Sequence, residues 1–281
     1  MKKSVGLEFF FSANRDIERQ MADMESHLKA GSLYTNRIHT GRKQLGNLMS
    51  KASKMGKDHR TITNIDYPDA QFVGDFKDVK HDLINLEKLF SGNSLLKFND
   101  NIYHLANTEM KSLVEGNSLS DGEEKLNDVM RKSGWKDYDG YFEHTLTIND
   151  GAYYIGCSTE NGYPQFSGEF NDDIARRWVR QVDNDLTVIL TPNDIHDAIT
   201  HGLKLLEALE HFDSRFNQNA KQFEKLVNVY KLSTKELKGK EKDVGGVLTW
   251  VNTSFTMRNL FEQQTIAFIT SVITYLEKAF K

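Results

Sequence analysis

From Pro192 to Lys281 no further proline occurs, and the apolar side chains recur at the three- and four-residue spacing of a helix with a buried face. Thr191 suits a helix cap, Pro192 suits the first helical position, and Asn193 and Asp194 put polar and acidic groups where the helix dipole favours them. The first stripe runs Ile195, Ile199, Leu203, Leu206, Leu209, Phe216, Ala220, Phe223, Val227 and Tyr230. Unbroken, it makes a rod of roughly 60 Å at about 1.5 Å per residue. A linker rich in Lys and Glu, Ser233 to Asp243, and the pair Gly245-Gly246 lead to a second stripe through Val247, Val251, Phe255, Phe261, Phe268, Val272, Leu276 and Phe280. The pattern predicts two long helices packed as an antiparallel hairpin.

Each stripe has one charged interruption. Between Leu209 and Phe216 the midway position is Asp213, and between Phe255 and Phe261 the same face carries Arg258. A lone buried charge is costly. With Tyr230 opposite Val244, antiparallel pairing sets Asp213 opposite Phe261 and Phe216 opposite Arg258, an offset of about 4.5 Å that both side chains span. One expectation is that Asp213 and Arg258 meet and fix the register of the hairpin. The other is that Phe212 takes the stripe position, Asp213 turns to solvent and Arg258 lies along the surface.

Residues 13–134 read as several helices. Their stripes are Ile17 to Leu28, Ile38 to Met55, Phe76 to Phe90 and Phe98 to Leu113, and Gly31, Gly56, Gly92 and Gly116 fall where a left-handed C-cap is expected. Lys57 to Gly74, polar and holding Pro68, reads as a long loop. Near Tyr138 the period changes. Aromatic and β-branched runs are punctuated by Asn149-Asp150-Gly151 and Asn161-Gly162, which predicts antiparallel strands over 141–170 with a chain reversal at each glycine turn. A short helix through Ile174, Trp178, Val179 and Val182 leads to a further strand, Leu186 to Leu190, whose continuous apolar run predicts burial on both faces. The fold class is therefore α+β, mostly α: a helical N-terminal region over 1–134, a small antiparallel sheet region over 135–191 and a long helical hairpin over 192–281.

Composition narrows the functions. Only three prolines occur, at 68, 164 and 192, leaving the chain free to form long helices, and 38% hydrophobic residues are enough to build a core. A net charge of -4 with interspersed signs offers no basic stripe for a phosphate backbone, so direct nucleic-acid binding is not expected. One cysteine, Cys157, allows neither an intrachain disulfide nor a cysteine metal cluster. Glu8 interrupts the apolar run after the basic start, so the N-terminus reads as that of a cytosolic protein and not as a signal peptide. The apolar-rich stretch Ile266 to Leu276 is short of the roughly 20 residues of a membrane span.

The candidate chemistry yields to simpler readings. His196 and His201 are five apart, about 140° around a helix axis, and do not converge on a metal. Asp197 with His201, and Glu207 with His211, have the spacing of surface salt links. The acidic turns at 137–140, 171–173 and 183–185 do not extend into a calcium loop, and Gly56-Lys57 and Gly239-Lys240 lack the earlier glycine of a phosphate loop. Cys157 in a strand, with His144 as its nearest candidate base, reads as a buried structural thiol. No catalytic, cofactor-binding or metal-ligating residue is therefore assigned. The last helix is apolar around more of its circumference than one neighbour covers. It is either a central core helix or one seated partly on another chain or a membrane surface.

The order of elements over 186–281, a strand ending in Thr191-Pro192, a long helix, a Lys-rich linker and a terminal apolar helix, resembles the C-terminal part of internal head proteins of large tailed bacteriophages. The resemblance implies a non-enzymatic structural protein of the virion. Its setting would be the virion or the host cytoplasm, and its partners copies of itself or other virion proteins. It also implies trimming after a glutamate by a prohead protease, for which Gly6-Leu7-Glu8, Ser158-Thr159-Glu160 and Ala208-Leu209-Glu210 have the form. The alternative function is a cytosolic helical adaptor that binds a protein through the C-terminal hairpin.

Overall fold

The computed structural model describes residues 2–62, 76–91, 94–148, 151–162, 164–168, 188–232 and 239–281. The described helices are α1 (Lys2–Ala52), α2 (Phe76–Phe90), α3 (Ser94–Val114), α4 (Gly122–Lys132), α5 (Pro192–Leu232) and α6 (Glu241–Ala279). The strands are β1 (Arg60–Ile62), β2 (Lys136–Tyr138), β3 (Tyr141–Ile148), β4 (Gly151–Ser158), β5 (Gln165–Gly168) and β6 (Val188–Leu190). The architecture is α+β and mostly α, with a small antiparallel sheet and two long C-terminal helices. Buried side chains from the N-terminal helices, the sheet and the C-terminal helices form one hydrophobic cluster.

The start of α5 is a reciprocal cap. Asp194 N–H donates to Thr191 Oγ1 at 3.2 Å, while Thr191 N–H donates back to Asp194 Oδ2 at 3.1 Å. Helices α5 and α6 run antiparallel, as Asp213 with Arg258 and Phe216 with Phe255 show. Helix α1 flanks both on one side and α3 flanks both on the other. Helix α1 is antiparallel to α5, as Thr35 with Asp213 and Arg42 with Glu210 show. It is parallel to α6, where Asn252 reaches Gln20, Asn259 reaches His27 and Glu277 reaches Gln44.

Two features of the N-terminal region depart from expectation. The stripes ending near Leu28 and beginning at Ile38 belong to one helix of 51 residues, and Gly31 lies inside it. Gly31 is there for closeness of approach. A Cβ on it would stand 2.5 Å from Arg258 Nη1 and 2.7 Å from Nη2. Gly56 and Gly116 do take the left-handed conformation expected after a helix, with φ of 65° and 106°. Gly92 lies outside the described residues.

The sheet has the order β2-β3-β4-β5, antiparallel throughout. Ile148 pairs with Gly151 in the antiparallel β3–β4 ladder, and residues 149–150 lie outside the described residues. The second reversal runs through a short 3-10 turn, Glu160–Gly162, in which Gly162 has φ 74°. Phe142 and Cys157, cross-strand partners, are both buried. Phe166 meets Phe98 of α3 edge-on at 5.1 Å, and Trp250 of α6 donates its indole N–H to Gly162 O at 2.7 Å. The sheet is thereby fastened to the helices through β5 and the turn that precedes it.

A separate two-stranded ladder pairs β1 with β6, Thr61 opposite Ile189. Part of the stretch read as a long loop thus forms a strand. The two-face burial expected of Leu186 to Leu190 fails at Ile189, which is 63% exposed, while Leu190 is fully buried. Alternate side chains of a strand point to opposite faces, and only the Leu190 side meets the core. The helix expected around Ile174 to Val182 lies outside the described residues.

Helix α6 is the central element. Phe255, Phe261, Phe268, Ile269, Val272, Ile273 and Leu276 are all buried within the chain itself. Its wide apolar circumference is accounted for by α1, α3 and α5. Among the described residues no helix is long and apolar enough to cross a membrane.

Candidate functional site

Between α1, α5 and α6, three ionisable side chains are sealed in the core. Asp213 on α5 is 2% exposed, and Arg258 and Glu262 on α6 are 1% and 0% exposed. Arg258 Nη2 donates to Asp213 Oδ1, Arg258 Nε donates to Glu262 Oε2 at 2.7 Å, and Arg258 Nη1 donates to Asn217 Oδ1 at 3.1 Å. Thr35 of α1 donates its hydroxyl to Asp213 Oδ2. The guanidinium also lies over the Phe216 ring at 4.8 Å and near the Tyr34 ring at 5.3 Å. Such ring faces attract a cation.

The sequence explains each placement. Arg258 and Glu262 are one helical turn apart and so share a face. Asp213 arrives from the antiparallel α5, and Gly31 leaves the space that the guanidinium fills. A second layer holds α1 to α6. Tyr34 donates to Asn259 Oδ1 at 3.1 Å, and Asn259 Nδ2 lies 3.4 Å from His27 Nδ1. His27 stacks on Phe255 at 5.1 Å, and burial, aided by the nearby Arg258, keeps its pKa below the usual histidine value.

Asp213 and Arg258 do meet, as the first of the two expectations has it, and the Arg258 guanidinium lies over Phe216, the residue set opposite it. Phe216 also meets Phe255 edge-on with ring centres 5.1 Å apart. Phe212 and Asp213 are both buried, because α2 covers the first through Phe90 while α1 and α6 enclose the second. Glu262 was not among the residues singled out from sequence. Its four-residue spacing from Arg258 is the signal that points to it.

The other candidates stay apart. His196 is exposed and His201 half-buried, and Asp197 accepts from Lys80 at 2.7 Å. Glu207 and His211 are exposed, and it is Glu210 that gathers His39 and Arg42. Among the described residues no group of three or more His, Cys, Asp or Glu side chains has the arrangement to hold a metal ion. The acidic turn at 137–140 is an ordinary turn in which Asp137 Oδ1 accepts from Gly140 N–H at 3.3 Å and Oδ2 from Arg131 Nε at 2.8 Å. The turns at 171–173 and 183–185 lie outside the described residues.

Cys157 is fully buried, and burial pushes its thiol up to about 12. His144, two residues along from the partner strand position of Cys157, has its ring against Trp135 with centres 5.8 Å apart. The thiolate is the reactive form, so the folded protein should resist a thiol reagent at neutral pH and react only on unfolding. Labelling with and without denaturant checks this; fast modification of the folded chain would contradict it.

Comparison with protein-family models, with curated protein sequences and with solved structures gives no match.

Proposed function

We propose that the chain is a non-enzymatic structural or interaction protein, and that its setting is the particle of a tailed bacteriophage, as an internal head protein. The observation that carries the first part is the use made of the charged cluster. Asp213, Arg258 and Glu262 bond one another at 2% exposure or less, where a dissolved substrate does not reach them. Buried ionic groups of this kind are best attested as devices that specify register. The setting rests on the resemblance of the 186–281 element order. The described part of that order, strand β6, helix α5 and helix α6, is in keeping with it.

The adaptor alternative loses the feature that motivated it, since the apolar faces of α6 are occupied by the chain's own helices. Two of the three candidate cleavage sites are closed to a protease. Leu209 is fully buried in α5, and Thr159 is buried at the end of β4. Processing therefore favours Gly6-Leu7-Glu8, which lies near the start of α1. Mass spectrometry of purified phage particles tests the reading. Abundant peptides, with a new N-terminus at Phe9, are expected; their absence from the particle removes the virion role.

A further inference from the structure

The cluster at the centre of the bundle contains two carboxyl groups and one guanidinium, and the charges do not balance if both acids are ionised. Asp213 is bonded through both oxygens, to Arg258 and to Thr35. Glu262 is bonded through Oε2 alone, and its Oε1 is buried with no hydrogen-bond partner. A carboxylate oxygen buried without a hydrogen-bond partner is costly, and a proton on it removes the charge.

We propose that Glu262 is a built-in proton switch: it takes up a proton when the bundle closes, and loss of that proton loosens the contact among α1, α5 and α6. Among the described residues Arg258 is the cation that bonds Glu262, and Arg37 of α1 lies near enough to act on Tyr34. From α6 the cluster is faced by Arg258; from α5, by Asp213 and the neutral Asn217; from α1, by the Tyr34 phenol, with His27 beyond it; and from α3, by the Tyr103 phenol. Tyr103 and Tyr34 are both held above the ordinary phenol value, chiefly by burial, and so remain neutral. Burial is also the main influence on Glu262, opposed by Arg258 and reinforced by Asp213, and its carboxyl is pushed up to about 7.

The direction of the pH dependence follows. In the unfolded chain the carboxyl has its ordinary value near 4.5, so between there and about 7 the folded state holds a proton that the unfolded state has lost. Stability is highest at the acidic end of this window, falls as pH rises through about 7, and is level above it. The histidines whose folded values are lowered, His27, His144 and His201, act in the opposite sense. They are common to the wild type and to a variant at 262, so the difference between the two isolates Glu262.

The test is denaturant unfolding of the full chain, wild type and Glu262→Gln, from about pH 5 to about pH 9. Glutamine has the shape of the protonated acid and does not titrate. The folding constant of the wild type, relative to the variant, should fall by up to about tenfold per pH unit across the window. Parallel curves for the two proteins would overturn the proposal. Infrared spectroscopy of the wild type gives a second reading should the variant not fold. A protonated-carboxyl band at about pH 6, where exposed acids are ionised, and its loss by about pH 9 are expected. Its absence at about pH 6 would equally overturn the proposal.

Discussion

Gly31→Ala lowers the stability of the protein by about 2–4 kcal/mol, although alanine is the better helix former. Helix propensity alone favours the substitution by about 1 kcal/mol. Against this, the new methyl would lie within 2.9 Å of three guanidinium atoms of Arg258. The end of an arginine often moves aside at little cost. Here it is 1% exposed and held by Asp213, Glu262 and Asn217, so moving it breaks hydrogen bonds to charged groups worth about 1.5–3 kcal/mol each. The steric and electrostatic loss wins. Gly46, in the same helix but exposed and with nothing within 4 Å of its added Cβ, is the control. Gly46→Ala should raise stability by about 0.5–1 kcal/mol. Denaturant unfolding of both variants decides: two changes of the same sign would refute the close-approach role of Gly31.

Arg258→Ala should cost about 3–5 kcal/mol at neutral pH, because it leaves the buried acids without their cation. The loss should shrink at acidic pH, where protonation of the acids relieves it. The triple variant Asp213→Leu, Arg258→Met, Glu262→Met should recover most of the stability, since apolar replacement of a whole buried ionic group is often neutral or stabilising. Unfolding midpoints at about pH 5 and pH 8 check both statements. An Arg258→Ala variant with the wild-type midpoint at both would show that the cluster does not hold the bundle together.

Much of this arrangement was legible in the sequence, and what escaped did so for physical reasons. Asp213 and Arg258 stand out because each interrupts an apolar stripe. Their meeting follows from the antiparallel course of the two helices. The continuity of α1 was legible too. Ile17, Met21, Met24, Leu28, Gly31, Thr35 and Ile38 keep alternating steps of three and four through the glycine. Glycine marks both helix ends and close contacts, and here the unbroken phase distinguishes them.

Thr35 and Tyr34 could not be assigned to the cluster, since that requires knowing which helix lies beside α5 and α6. The β1 to β6 pairing joins segments far apart in sequence, so local patterning carries no sign of it, and the apolar run at Leu186 to Leu190 gives no clue that Ile189 faces outward. The hairpins of the sheet, by contrast, are announced by their turn residues, and strands β3 to β5 pair as those residues indicate.

The central claim, that Asp213 and Arg258 lock α5 to α6 through a direct buried ion pair, is tested most directly by a double-mutant cycle. Unfolding free energies of the wild type, Asp213→Ala, Arg258→Ala and the double variant give the coupling between the two side chains. Residues in one buried network show interaction energies of about 0.5–3 kcal/mol, and the sealed geometry here predicts a value toward the upper end. Additivity of the two substitutions within about 0.5 kcal/mol would contradict the claim.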